Sequence, residues 1–167
     1  MLYKKDLINL LDTSGCDYFI KEHEALYTVE DSKALRGTIS GAHSKNLFLK
    51  DAKGQFYLLS IEENTSIDLK KTMKHIGSKK LSFAKAEYLH SILGIEPGSV
   101  SPFSLINDKN KKVIFYLDKK FLDSEKVNFH PLVNTATINI STLDMISFLE
   151  KHHNSVNLLD LKQLEQL

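Results

Sequence analysis

The sequence predicts an α+β fold with a mixed sheet, and three observations lead there. Helical and strand periodicities come in the order helix, strand, helix, hairpin, two helices, then mostly strands and a final helix. A turn at "AKGQ" joins two alternating apolar runs into a hairpin. No repeat, low-complexity stretch or linker divides the 167 residues, so one domain with a single core is expected over 1–167.

The elements follow in order. "YKKDLINLLDTSG" places Leu7, Leu10 and Leu11 on one helical face and stops at Gly15. "CDYFIKEH" reads as a strand. In "TVEDSKALRG", Thr28 is an expected N-cap with Asp31 three residues on, and Gly37 ends the helix. Lys45–Asp51 and "FYLLSIE" form the hairpin. Ser66 is expected to cap a helix reaching about His75, and "SFAKAEYLHSILG" to form another that ends at Gly94. "IEPGSVSPFSLIND" carries two prolines and a glycine and is expected to be loop. "KKVIFYLD", "KVNFH" and "NTATINI" read as strands, and "STLDMISFLEKHH" as a capped helix. The tail, "NSVNLLDLKQLEQL", is either a frayed extension or a small amphipathic helix, and Leu158, Leu159 and Leu161 could dock it on the core or mediate self-association.

Composition narrows the function. Lys+Arg of 22 against Asp+Glu of 21 leaves a net charge of +1, so any nucleic-acid contact has to come from a local patch, and DNA coating is not expected. Basic residues are bunched at Lys70, Lys71, Lys74, Lys79 and Lys80, at Lys109, Lys111 and Lys112, and at Lys119 and Lys120. The single cysteine, Cys16, excludes an intrachain disulfide and a Cys-cluster metal site, which suits a reducing cytoplasm. Charges interrupt the apolar residues of "MLYKKDLINLLD", so neither a signal peptide nor a membrane span is expected there.

Four features invite chemistry: the Lys45-Asn46 pair, the small-residue turn "GAHS" before it, the "PGSVSP" loop at 97–102, and "FHPLVNTAT" at 129–137. The seven histidines show no metal-ligand spacing, and no serine elbow, Walker loop or dinucleotide fingerprint occurs. Ser99 and Ser101 have no evident base, so covalent catalysis is not suggested.

Taken together and in order, "TVEDSKALRG", "GAHSKNLFLKD", "LSFAKAEYLHSILGIEPGSVSPFSLIND", "LD" and "FHPLVNTATINIS" resemble the YbaK-like prolyl-tRNA editing domains, in particular the free-standing alanyl-tRNA(Pro) deacylases. The resemblance covers about residues 20–150; the stretch 154–167 lies beyond the matching motifs. It implies a strongly curved mixed sheet approaching a barrel, surrounded by helices, as in the insertion domain of prolyl-tRNA synthetase. It also implies hydrolysis of the ester joining a wrong amino acid to the terminal adenosine of tRNA(Pro), without a protein nucleophile and with help from the ribose hydroxyl. Lys45, Asn46 and His130 fall on the family's catalytic positions, and Gly98-Ser99-Val100-Ser101-Pro102 on its Gly-x-x-x-Pro loop. No cofactor or metal is implied.

Those residue types suit the chemistry. Backbone N–H groups of a rigid loop at Gly98 and Pro102 would meet the charge that builds on the ester carbonyl. Lys45 would hold the phosphate or ribose as a cation, or else act as a base; Asn46 can donate and accept; His130 would orient ribose or base. Adjacent strand residues point to opposite faces, so Lys45 and Asn46 share a site only if the strand starts at or after them or a bulge lies there. Ile20, Val29 and Phe129 are candidate pocket walls, small enough in span to admit alanine and exclude proline. Lys50, Lys79 and Lys80 are candidate phosphate contacts, and Arg36, the only arginine, could meet the acceptor end. Expected partners are the tRNA(Pro) acceptor end and prolyl-tRNA synthetase, with no membrane. Two other readings stand beside this one: the same reaction on cysteinyl-, seryl- or threonyl-tRNA, and a non-catalytic binding module.

Overall fold

The computed structural model describes residues 1–26 and 29–165, with the side chains of Val29, Arg36 and Glu165 left out. The expected cap at Thr28 therefore lies outside the described residues. Helix α1 (Lys4–Thr13) and strand β1 (Tyr18–Glu22) lead to helix α2 (Val29–Arg36) and the hairpin β2 (Ser44–Lys50) and β3 (Phe56–Glu62). Helix α3 (Leu69–Ile76), strand β4 (Ser82–Phe83) and helix α4 (Ala86–Tyr88) follow, the last continuing as a π turn over Leu89–Leu93. Then come a 3₁₀ helix at Pro102–Asn107, β5 (Val113–Asp118), a second 3₁₀ helix at Lys119–Asp123, β6 (Lys126–Phe129), β7 (Ala136–Ser141), α5 (Thr142–His152), β8 (Asn157–Leu159) and α6 (Leu161–Glu165).

The fold is the α+β arrangement with mixed sheets that the sequence predicts, but no barrel closes. One sheet has the antiparallel order β1-β7-β6; the other has the order β4-β2-β3-β5-β8, with β3, β5 and β8 parallel. Between them runs an isolated bridge from Ala42 to Val127. All seven residues of β3 are buried, because the larger sheet is covered on both faces. Phe48, Phe56, Leu58, Val113, Phe115 and Leu117 face the main core, which they share with Val127, Phe129, Ile138 and Ile140 of the smaller sheet, with Leu7 and Leu11 of α1, and with Phe148 of α5. Leu49, Tyr57, Leu59 and Ile61 face a second cluster closed by Leu159, Leu161 and Leu164.

Local chemistry explains where the sequence reading holds and where it slips. The hairpin turn is tied by Asp51, whose carboxylate accepts from the backbone N–H groups of Lys53 and Gln55, and Gly54 supplies a φ of +86°. Helix α3 is capped by Asp68, not Ser66: its carboxylate accepts from the N–H groups of Lys70 and Lys71. The helix ending at Gly94 starts at Ala86, because Ser82 and Phe83 pair with Lys50 and Leu49 instead. The Pro-Gly loop turns regular at Pro102, which opens a 3₁₀ helix. The tail is neither frayed nor only a helix: β8 extends the sheet beside β5, and Leu159 and Leu161 are buried while Leu158 stays 45% exposed.

Candidate active site

The segment 39–44 runs beside the edge strand β6, where Ala42 makes backbone hydrogen bonds to Lys126 and Asn128, and it is fastened by two buried asparagines. The Asn128 amide donates to the carbonyls of Ser40 and Ala42, and that of Asn139 to Ser40 and to Asn128 Oδ1. The approach is close enough to require glycine at position 41. A Cβ there would sit 2.8 Å from the Lys126 carbonyl oxygen, and its φ is +93°. This seam delivers the start of β2 to the end of β6.

A cavity of about 80 Å³ opens at the seam, lined among others by His43, Ser44, Asn46, Phe129, His130 and Thr137. Asn46 accepts from Ser60 Oγ at 2.5 Å and donates through Nδ2 to Ser44 Oγ at 3.2 Å. Ser44 spends its own proton on the Asn128 carbonyl, so it can only accept from Asn46, and this fixes which way the Asn46 amide faces. The second N–H of that amide has no partner among the described residues.

Two imidazoles line the cavity, His43 and His130, and a third, His23, stands behind Thr137; each is held by a backbone carbonyl. His43 Nε2 lies 3.0 Å from the Ile39 oxygen, His130 Nδ1 2.9 Å from the Ala136 oxygen, and His23 Nδ1 2.7 Å from the Glu24 oxygen. A carbonyl only accepts, so the named nitrogen carries the proton in each case. Burial, and secondarily the neighbouring His23, push the His130 pKa down from its ordinary 6.5, against the opposing effect of the Ala136 hydrogen bond. At neutral pH its ring is therefore uncharged and its Nε2 bare. His23 Nε2 lies 2.9 Å from Thr137 Oγ1, and the His23 and His130 ring centroids are 6.3 Å apart. His23 does not stand out in the sequence, and Thr137 does so only as the last residue of "FHPLVNTAT"; alternation along "NTATINI" puts it on one face with Asn139.

The other expected residues divide. Asn46, Phe129 and His130 meet at the cavity; Lys45 does not line it. Strand β2 starts at Ser44 and pairs with β3 without a bulge, Lys45 opposite Ile61 and Asn46 opposite Ser60. Lys45 thus leaves on the second-cluster face, half-buried and without a hydrogen bond among the described residues. Ile20 packs against the main core from β1. The side chains of Val29 and Arg36 lie outside the description. Gly98, with φ +91°, sits beside the turn after His130: a Cβ would be 3.8 Å from Asn134 Nδ2. Ser99 and Ser101 are buried, the Ser101 hydroxyl without a partner, Val100 packs on the main core, and Pro102 begins the 3₁₀ helix.

Lys50 donates to the Tyr88 hydroxyl at 3.0 Å and lies over that ring, 4.5 Å from its centroid. Lys79 and Lys80 are exposed beyond it, where the Lys79 carbonyl accepts from Ala52. Six residues of extended chain separate Ala52 from Asn46, about 20 Å. A larger cavity, about 580 Å³, lies at the carboxyl ends of β3, β5 and β8, where Lys120 pairs with Glu62, Lys119 with Asp160, and Asp118 accepts two backbone N–H groups.

The cavity is lined by imidazoles, amides and hydroxyls. Residues 23–148 match the model of the aminoacyl-tRNA editing domain. The chain belongs to the aminoacyl-tRNA editing domain family. It is an aminoacyl-tRNA editing protein, a hydrolase of the aminoacyl ester on tRNA. It is 35% identical over 159 residues to the prolyl-tRNA editing protein ProX of Acetoanaerobium sticklandii, covering 95% of this chain and 97% of the relative. It is 36% identical over 135 residues to prolyl-tRNA synthetase associated domain-containing protein 1 of Xenopus laevis, covering 78% and 80%. A solved structure ascribed to a trans-editing enzyme for prolyl-tRNA synthetase superposes with a TM-score of 0.71 over 96% of this chain and 97% of its own; at 20% identity that likeness speaks for the fold. Among the described residues no helix is long and apolar enough to cross a membrane.

Proposed function

We propose that this protein is a free-standing editing enzyme that removes alanine from mischarged tRNA(Pro) in the cytoplasm, working after prolyl-tRNA synthetase. The observation that carries the proposal is the small cavity that brings Asn46 and His130 together. In this reading the walls of the cavity admit a methyl side chain and exclude the bulkier pyrrolidine ring. The names of the relatives support the tRNA.

In this reading the free N–H of Asn46 meets an oxygen of the aminoacyl ester or the ribose, and His130 Nε2 accepts from a hydroxyl or from water. The Gly98–Pro102 loop, held beside the His130 turn, offers backbone N–H groups to the charge that develops on the carbonyl. Lys45 is too far round the strand to touch the ester and serves as a cation for the nucleotide's phosphate outside the cavity. Lys50, bound to Tyr88, contributes to the fold before it contributes to tRNA; Lys79, Lys80 and Arg36 keep a role on the acceptor stem.

The test is deacylation of alanyl-, prolyl-, cysteinyl- and seryl-tRNA by the purified protein. Loss of alanine with prolyl-tRNA intact is the expected result. Fast loss of cysteine or serine alone would move the specificity, and stability of every ester would leave a binding module.

A further inference from the structure

The cavity contains one arrangement that none of the expected residues accounts for. His23, just after β1, donates from Nδ1 to the Glu24 carbonyl, and in that tautomer Nε2 is an acceptor. Its 2.9 Å partner, Thr137 Oγ1, must then be the donor. With its proton committed to His23, the Thr137 hydroxyl has only lone pairs to offer the cavity that it lines. His130 offers the same: its Nδ1 is spent on Ala136, and its Nε2 is bare. Two acceptors, one on each side of the β6–β7 turn, thus border one small space, and among the described residues no carboxylate lines it. A water has two protons to give.

We propose that Thr137 and His130 hold the hydrolytic water between them, and that His23 is the positioning residue that keeps the Thr137 hydroxyl turned as an acceptor; this rests on the deacylase reading. One water proton points to His130 Nε2 and the other to Thr137 Oγ1, which aims the water's lone pair at the ester carbon. On attack, the water oxygen bonds to that carbon and the proton facing His130 passes to Nε2. It is returned to the ribose oxygen as the ester C–O bond breaks. The products are a free amino acid and a ribose hydroxyl, and the protein ends as it began.

Steady-state deacylation of alanyl-tRNA(Pro) by His23→Phe, Thr137→Val, Thr137→Ser and the His23→Phe/Thr137→Val double variant tests this, with thermal unfolding to confirm that each is folded. His23→Phe and Thr137→Val should each lower kcat by about tenfold, the loss of roughly one oriented hydrogen bond, with KM little changed. Thr137→Ser should restore the rate, since it keeps the hydroxyl, and the double variant should be no slower than the slower single one, because the two act as a unit. If Thr137→Val fails to fold, the half-buried His23→Phe and the serine variant carry the test. An unchanged kcat, a raised KM alone, a serine variant as slow as the valine one, or additive losses would overturn the proposal while leaving the deacylase standing. A wild-type protein that hydrolyses no ester would take both down.

Discussion

The two ends of strand β2 carry similar residue types and do different things with them. At the Ser44 end, Asn46 is half-satisfied: its carbonyl oxygen is taken by Ser60, one N–H by Ser44, and the other N–H has no partner among the described residues. At the Lys50 end the polar group is consumed: Lys50 gives a hydrogen bond to Tyr88 and spreads its charge over that ring and, at 5.5 Å, over Phe56. Partial satisfaction beside a cavity marks a site, and full satisfaction within an aromatic cluster marks a strut. The same contrast separates the small cavity from the larger one at the carboxyl ends of the parallel strands, where Lys119 and Lys120 are taken by Asp160 and Glu62.

Substitutions at the two ends should therefore separate activity from stability. The largest effect expected is on rate: Asn46→Ala and His130→Ala should each lower kcat for alanyl-tRNA(Pro) by about 10²–10³ with little loss of thermal stability. A comparable loss of kcat from Lys50→Ala would break the comparison.

Next in size is the tail. Leu159→Ala removes a fully buried side chain from the second core, and about 2–5 kcal/mol of stability should go with it in denaturant unfolding. The cavity, on the far side of the sheet, should keep its activity in the fraction that folds. Gly41→Ala is expected to cost about 1–3 kcal/mol and to lower activity as well, because its Cβ meets the Lys126 carbonyl and its φ is left-handed, so the seam that presents Asn46 has to shift.

Acid should sharpen the picture further. The folded-state pKa of His130 lies below 6.5, so between the two values the unfolded chain binds a proton that the folded one refuses. Stability is then full above about 6.5 and falls as pH drops below it; His152, depressed chiefly by burial and secondarily by Lys151, adds in the same direction. The deacylation rate should fall on the acid side as His130 gains a proton, and a pH–rate profile checks this. The smallest effect belongs to Lys50→Ala: about 0.5–1 kcal/mol of stability and a near-normal kcat.

Much of this was legible in the sequence because it is local. The 51–55 turn, the glycine stop at Gly94 and the Ser141 cap are set by neighbours a few residues apart, and the alternation of β2 and β3 follows from faces that are covered. What was hidden depends on distant partners. Nothing near Asn139 announces that it holds Ser40, 99 residues away, or that Thr137 meets His23, 114 residues away. The tail's short apolar run fits a helix as well as a strand until β5 offers it an edge. Lys45 and Asn46 sit side by side in sequence, yet the pleat sends them to opposite faces.

The most direct test of the central claim, that hydrolysis takes place at the Asn46 and His130 cavity, is the single-turnover rate of alanyl-tRNA(Pro) deacylation by wild type, Asn46→Ala, and the Lys79→Ala/Lys80→Ala double variant at saturating enzyme. The account predicts a rate lower by about 10²–10³ for Asn46→Ala and a rate near wild type for the lysine pair, whose loss should show only in binding and its salt dependence. A wild-type rate from Asn46→Ala, with the reaction abolished by loss of the distant lysines, would contradict it.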